Sequence, residues 1–213
     1  MPRIRIVCIG DTHGQHAKLD VPDGDVLIHA GDFMTFGDRP REIVDFNHWL
    51  GRQPHLYKIV IAGNHDRMFE RHPGAARELL GNGTYLENSG IELLGLKIWG
   101  SPIQPEFNNW AFNVARGAAI RRYWEMIPAD TDVLVTHGPP FGVLDNAHPS
   151  TTHLGCEELA KAVEQIRPRL HVFGHIHGGH GFSGGKDTQF VNASVVNEAY
   201  RLVHEPQVVE IEV

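Results

Sequence analysis

Cysteine is nearly absent from this chain, with Cys8 and Cys156 the two among 213 residues. Two cannot make a disulfide framework, and Cys8 falls inside an apolar run, so the expected setting is reducing, intracellular and cytoplasmic. Long apolar stretches are lacking as well. None approaches the roughly 18 residues of a membrane span, so no membrane association is expected. Arg3 and Arg5 imitate the charged start of a secretory leader, but the apolar stretch behind them halts at Gly10-Asp11, too short for a leader core. Basic residues are outnumbered, 19 Lys and Arg against 26 Asp and Glu, for a formal net charge of −7. That balance argues against a nucleic-acid polymer as partner, while a local site can still hold a small phosphate ligand. Internal repeats, charge blocks, low-complexity tracts and linkers are missing, so residues 1–213 read as one domain. A chain of this length buries about 70% of its unfolded surface and needs no disulfide or metal merely to fold. What stands out among the residues present is histidine, 15 of 213, which points toward metal.

Short apolar runs rich in β-branched residues occupy positions 4–9, 26–28, 59–61, 133–135 and 170–173. Without polar alternation, such runs predict strands buried on both faces. Helical spacing lies between them. Ile43, Phe46 and Leu50 mark a helix over residues 42–50, and Leu159, Val163 and Ile166 mark another that Pro168 stops. Residues 75–80, ended by Gly81, and residues 120–127, with Pro128 beyond, are further helices. Residues 84–87, 91–99, 189–192 and 208–213 read as sheet without an intervening helix. The pattern predicts an α/β fold, a four-layer α-β-β-α sandwich of two packed mixed sheets flanked by helices. The poorly periodic stretches 101–117 and 139–152 are long enough to be functional loops.

Each of the five runs ends in similar chemistry. The first gives Gly10-Asp11-Thr12-His13, the second Gly31-Asp32 and the third Gly63-Asn64-His65-Asp66. The fourth gives His137-Gly138-Pro139-Pro140, and the fifth Gly174-His175-Ile176-His177. Ligand sites of α/β proteins lie beyond the carboxyl ends of strands, so these groups should converge. In extended chain, residues i and i+2 point the same way, which lets Asp11 and His13, and again His175 and His177, reach one ion together. The expected ligands are Asp11, His13, Asp32, Asn64, His137, His175 and His177, with no thiolate. Carboxylate mixed with imidazole suits Mn, Fe or Zn better than Ca or Mg. Seven side chains exceed what one open catalytic ion needs but fit two ions sharing a carboxylate, an arrangement that serves displacement at phosphorus. The expected cofactor is two divalent ions, Mn2+ first, with Fe or Zn as alternatives.

The ordered series Asp-x-His, Gly-Asp, Gly-Asn-His-Asp, His-Gly and Gly-His-x-His, spanning residues 11–177, resembles the calcineurin-like metallophosphoesterase superfamily. More narrowly, Asp11-Thr12-His13, His29-Ala30-Gly31-Asp32-Phe33 and residues 58–66, 136–140 and 170–174 are similar to the metallophosphoesterase-domain proteins of animal brain. So is the phenylalanine- and asparagine-rich stretch 107–117. Those proteins are related to class III cyclic nucleotide phosphodiesterases. The resemblance implies that Asp11, His13 and His177 bind one metal, that Asp32 bridges, and that Asn64, His137 and His175 complete the second site. It implies that His65 is a general acid whose ring Asp66 orients. Some animal members carry Gly where this chain has His175, which weakens their second site; here the His is present.

The implied activity is hydrolysis of a phosphodiester, a cyclic nucleotide foremost. Metal-bound hydroxide would attack phosphorus, Asn64 and the ions would stabilise charge, and His65 would protonate the departing alkoxide. The partner is then a small-molecule phosphoester, a nucleotide above all. A phosphomonoesterase acting on nucleotides or phosphoproteins is the alternative, and a non-catalytic scaffold of the same fold is a further one. Asp32 is followed by Phe-Met-Thr-Phe-Gly, where the branch containing protein phosphatases typically has an Arg-containing continuation. Phe107, Trp110 and Phe112 could stack on a nucleobase, with Asn108 or Asn109 reading its edge; the bland alternative is a loop folding its aromatics onto the sandwich. His16 and His180, close in sequence to ligands, are candidate substrate contacts. His29 is read as a buried brace for the site, His48 as a surface residue, and the remaining histidines, His148 included, as structural. Cys8 is read as packing.

Overall fold

The computed structural model describes residues 3–147 and 151–213, so His148 lies outside the described residues. Two sheets carry the architecture. The first is built from β1 (Arg3–Ile9), β2 (Val26–His29), β3 (Tyr57–Val60) and the short β4 (Thr84–Tyr85), all parallel. Between its strands come α1 (Pro40–Gly51), α2 (Arg67–Arg71) and α3 (Pro73–Leu79). The second half adds β5 (Ser89–Leu93), β6 (Leu96–Ser101), β7 (Gln104–Pro105), β8 (Asn113–Val114), α4 (Ala118–Trp124), β9 (Val133–Thr136) and α5 (Glu157–Ile166). It closes with β10 (Leu170–Phe173), β11 (Gly181–Gly184), β12 (Gln189–Asn192) and β13 (Gln207–Glu212). Strand β13 returns to the first sheet, antiparallel to β1, giving the order β13-β1-β2-β3-β4. The second sheet runs β11-β12-β10-β9-β6-β5, and β7 pairs with β8 in a small ribbon.

The apolar runs are buried on both faces because each strand splits its side chains between two layers. From β1, Ile4, Ile6 and Cys8 join Ile28, Ile59, Val133, Val135 and Val172 in the layer between the sheets. Val7 and Ile9 turn the other way, into a cluster with Phe33, Ile43, Phe46, Leu50 and Phe69 from the helical side. Leu159 and Val163 of α5 and Ile120 and Trp124 of α4 supply the helical layer of the second sheet. This is the four-layer sandwich the patterning predicts. Cys8 is fully buried, and burial pushes its thiol far above the ordinary range, which fits packing and not chemistry.

The segment 91–99, read as one stretch of sheet, is a hairpin. Leu94 (φ +53°) and Gly95 (φ +77°) form a two-residue turn between β5 and β6, and consecutive positive φ values match the twist such hairpins need. The helix expected over residues 120–127 ends at Trp124, although Ile127 still packs in the core. Pro168 ends α5 as expected, with Arg167 in the left-handed cap position. Among the described residues, no helix is long and apolar enough to cross a membrane.

Candidate metal centre

The two sheets meet where the parallel strands finish. Gly10, just past β1, bridges Ser194, just past β12. The turn after β1 is laced to the turn after β2: Asp11 N donates to Gly31 O (2.9 Å), His13 N to Asp32 O (3.0 Å) and Gly14 N to Phe33 O (2.9 Å). Four of the expected ligands sit in strained backbone as a result. Asp11 (φ +53°), His13 (+42°), Asp32 (+58°) and His175 (+66°) all occupy the left-handed region. Such conformations are uncommon for non-glycine residues and gather at functional sites. The neighbouring glycines are needed for space. A Cβ on Gly63 would fall on Asp32 Oδ1 and the His137 ring, and one on Gly174 would fall on Asp11 Oδ2.

Three overlapping groups could each hold an ion, their ligand atoms lying within 4.8 Å of one another: Asp11, His13 and His177; Asp32, His137 and His175; and His13, Asp32 and His65. Asn64 joins them through its Oδ1, 2.9 Å from His137 Nε2. All seven expected ligands therefore come together. Hydrogen bonds to main-chain carbonyls orient two of the rings: His137 Nδ1 to Ala30 O (3.0 Å) and His177 Nδ1 to Asn197 O (3.1 Å). A carbonyl can only accept, so Nδ1 carries the hydrogen and Nε2 is turned toward the cluster. His177 Nε2 then stands 3.7 Å from Asp11 Oδ1, and His137 Nε2 3.4 Å from Asp32 Oδ2. His13 is 6% exposed, yet neither of its ring nitrogens has a hydrogen-bond partner among the described residues. A buried imidazole in that state wants a metal or a proton donor. The residues thus fit a pair of divalent ions.

Burial and mutual charge set the titration of the cluster. Burial would raise Asp11 and Asp32, but His177 beside the first and His137 beside the second hold both well below the usual carboxylate range. Burial would likewise lower His137, but Asp32 and Asp11 outweigh it and keep the imidazole at about 9. His13 and His175 are pushed down, mainly by burial, to about 4 and about 3. The two carboxylates thus hold a proton on His137 and favour one on His177, and cation binding must displace such protons.

His65 lies at the same spot, but its surroundings correct one expectation. Its ring Nδ1 is 2.7 Å from Thr35 O and not paired with Asp66. Asp66, at the entrance to α2, folds back to accept three backbone amides, from Asp32 (2.8 Å), Met34 (2.9 Å) and Gly63 (2.7 Å). It fastens the turns together and does not orient the imidazole. The His65 ring stacks on Trp110, with centroids 4.1 Å apart and planes at 25°.

A cavity of about 300 Å³ opens over Asp32, Asn64, His65, His175 and His177. Phe107 and Trp110 line it, as does Tyr200, whose ring is 4.8 Å from that of His13. The other suggested substrate contacts are corrected, since Asn108, His16 and His180 are not among the lining residues. The carbonyl of Asn108 is bonded to Asn113 Nδ2 at 2.9 Å, out at the loop tip. His16 turns inward against Phe46 and Trp49, its ring 5.3 Å from each. His180 lies parallel to His204 at 4.1 Å.

His29 braces the site as expected. Its Nε2 is 3.0 Å from Thr12 Oγ1, between Asp11 and His13, and His171 plays the same part for Thr136 (2.8 Å) beside His137. Sequence reasoning missed Ser194, whose Oγ donates to Asp11 Oδ2 at 2.5 Å, and Tyr200. Ser194 follows β12 as Asp11 follows β1, so the same strand-end rule applied there would have found it.

Comparison with known proteins points one way. Residues 4–179 match the family model described as calcineurin-like phosphoesterase. Metallophosphoesterase domain-containing protein 1 of Homo sapiens is 42% identical over 231 aligned positions, covering 97% of this chain and 71% of that protein. Among solved structures, TT1561 of Thermus thermophilus superposes with a TM-score of 0.64 at 14% identity, covering 98% of this chain and 99% of its own. The 5'-nucleotidase precursor of the same organism gives 0.52 at 15% identity, covering 99% of this chain and 51% of its own, a likeness of fold.

Proposed function

The chain belongs to the calcineurin-like phosphoesterase family, and from that premise we propose that it hydrolyses a small phosphodiester, a cyclic nucleotide foremost. One observation carries the preference for a diester. Arg116 is the one Lys or Arg among the described residues lining the cavity. Its guanidinium is already taken by Leu154 O (2.8 Å), Gly155 O (2.7 Å) and the Glu157 carboxylate (2.6 Å). Glu106 and Glu198 also line the space. Beyond the metal cluster there is thus, among the described residues, no free cation for the second charge of a monoester, whereas a diester brings one negative charge and a second ester group. Phe107, 54% exposed, and Tyr200, 47% exposed, offer that group an aromatic wall.

In this reading Asp11, His13 and His177 hold one ion, Asn64, His137 and His175 the other, and Asp32 is shared. Mn2+ is the proposed metal, with Fe or Zn as alternatives. Bound divalent ions supply Lewis-acid stabilisation at phosphorus and water of lowered pKa. The chain's own groups do the rest. Asn64 presents its amide beside His137, toward the phosphoryl oxygens. His65, anchored through Nδ1 to Thr35 O, keeps Nε2 for the leaving oxygen and serves as its proton donor.

The test is turnover of cyclic nucleotides, base-free diesters and phosphomonoesters by the Mn2+-loaded protein, with its metal content measured alongside. Cyclic nucleotides and diesters are expected to be cleaved. Turnover of monoesters alone would overturn the diester reading, and inactivity with two metals bound would leave a scaffold. If Phe107 stacks on the base, Phe107→Ala should raise KM for a cyclic nucleotide about 5- to 150-fold, since base stacking is worth about 1–3 kcal/mol. A base-free diester should change little, and equal losses on both would mean that no base is stacked there.

A further inference from the structure

His65 is 8% exposed, and its ring is packed on four sides, Tyr200 lying tilted at 5.9 Å. Thr35 O takes Nδ1 in the ring plane, His13 meets it edge-on at 4.6 Å, and Trp110 covers its face. Among the described residues, no carboxylate is hydrogen-bonded to the ring. The Trp110 face contact is the nearest of the ring contacts and the one that is stacked, so it bears most on the tilt of the imidazole about its bond to Thr35.

Trp110 is itself held firmly. The guanidinium carbon of Arg67 sits 4.5 Å from the indole centroid, and Arg67 Nη2 donates to Asn109 O at 3.4 Å. Arg67 Nε is buried and has no hydrogen-bond partner among the described residues, so the indole is a principal contact of that guanidinium. The backbone that follows it is tied down as well: Ala111 N donates to Asn64 O (3.3 Å) and Phe112 N to Glu70 Oε1 of α2 (2.6 Å). Phe107, by contrast, remains open to the cavity.

We propose that Trp110, backed by Arg67, is a positioning residue that aims the His65 imidazole at the leaving group, and that it is not a platform for a base. The proposal rests on the reading of His65 as proton donor. A proton donor matters most when the leaving oxygen is strongly basic and least when it is a nitrophenolate. Mispositioning should thus show the same dependence on leaving group as removal of the ring, only smaller.

The experiment compares kcat and KM of the Mn2+-loaded protein and of His65→Ala, Trp110→Ala, Trp110→Leu, Trp110→Phe and the double variant His65→Ala/Trp110→Ala. The probes are a base-free cyclic alkyl phosphate and bis(4-nitrophenyl) phosphate. Trp110→Ala should lower kcat on the cyclic alkyl phosphate about 10- to 100-fold, the scale of a misplaced catalytic group, and spare the nitrophenyl diester. Trp110→Leu, which fills the space without a flat face, should match it, while Trp110→Phe should restore most of the loss. Added to His65→Ala, the substitution should cost almost nothing more, because the two act as a unit.

Equal losses on both substrates, additive losses in the double variant, or no loss of kcat on the cyclic alkyl phosphate would overturn the positioning role while leaving the acid in place. If His65→Ala itself shows no dependence on leaving group, the proton-donor reading fails and takes the proposal with it.

Discussion

Asp32→Asn is expected to empty both metal positions together. Asp32 belongs to two of the three ligand groups, one with His137 and His175 and one with His13 and His65. Its Oδ2 stands 3.4 Å from His137 Nε2 and 3.9 Å from His13 Nε2, while Oδ1 accepts the His65 backbone amide at 2.7 Å. Asparagine can keep that amide bond with its own oxygen. Its NH2 then faces the two imidazoles, so an anionic ligand becomes a hydrogen-bond donor and the shape of the turn survives. Disturbing a neighbour that merely supports a ligand already costs about 10–100-fold in metal affinity. Loss of the shared anion should exceed that at both positions. Turnover should fall at least about 10²-fold, because the ions contribute several kcal/mol and each 1.36 kcal/mol is tenfold. His177→Ala is the comparison, since His177 appears in one ligand group only. His177 is preferred to His13 for this comparison, because His13 also stands in a group with Asp32 itself. Elemental analysis that still finds two metals in Asp32→Asn sinks the bridging assignment.

The parts of this molecule legible from sequence are those where burial dictates residue type. The buried parts of strands β1, β2, β3, β9 and β10 sit between two apolar layers, so most positions there are apolar and the run announces itself. Their ends are legible because chemistry begins where the core stops. Strand β11, Gly-Phe-Ser-Gly at the sheet edge with half its residues exposed, has no such constraint, and five-residue α2 is too short for a helical period. At the site, side-chain identity was readable but main-chain partners were not. The carbonyl of Thr35 reaches His65 because of how the turn after Asp32 runs, and no residue type signals that. The resemblance pointed instead to Asp66, whose carboxylate doubles back to amides that every sequence possesses. His16 and His180 mislead in the same way. Each lies three residues after a ligand, His16 at the start of the 3-10 turn His16–Lys18 and His180 just beyond His177–Gly179, and its ring packs elsewhere.

His65→Ala should cripple hydrolysis of a cyclic nucleotide by about 10²–10⁴-fold, the usual contribution of a positioned acid. The free ring nitrogen decides how. Thr35 O cannot donate, so Nδ1 holds a hydrogen, and proton delivery can come only from Nε2 of the imidazolium form. A ribose alkoxide is strongly basic and departs slowly without that proton, whereas a nitrophenolate leaves readily on its own. Activity on bis(4-nitrophenyl) phosphate should therefore largely survive. Geometry also allows a competing role, because His65 falls within 4.8 Å of ligand atoms of His13 and Asp32 and could serve as a metal ligand through the same Nε2. The two roles part company in metal content. An acid can be removed without loss of either ion, and its removal penalises substrates in proportion to the basicity of the leaving oxygen. A ligand takes its ion with it and lowers both activities alike. Two metals retained, with the loss confined to the alkoxide leaving group, is the expected outcome; a variant short of one metal, or equally slow on both substrates, makes His65 a ligand.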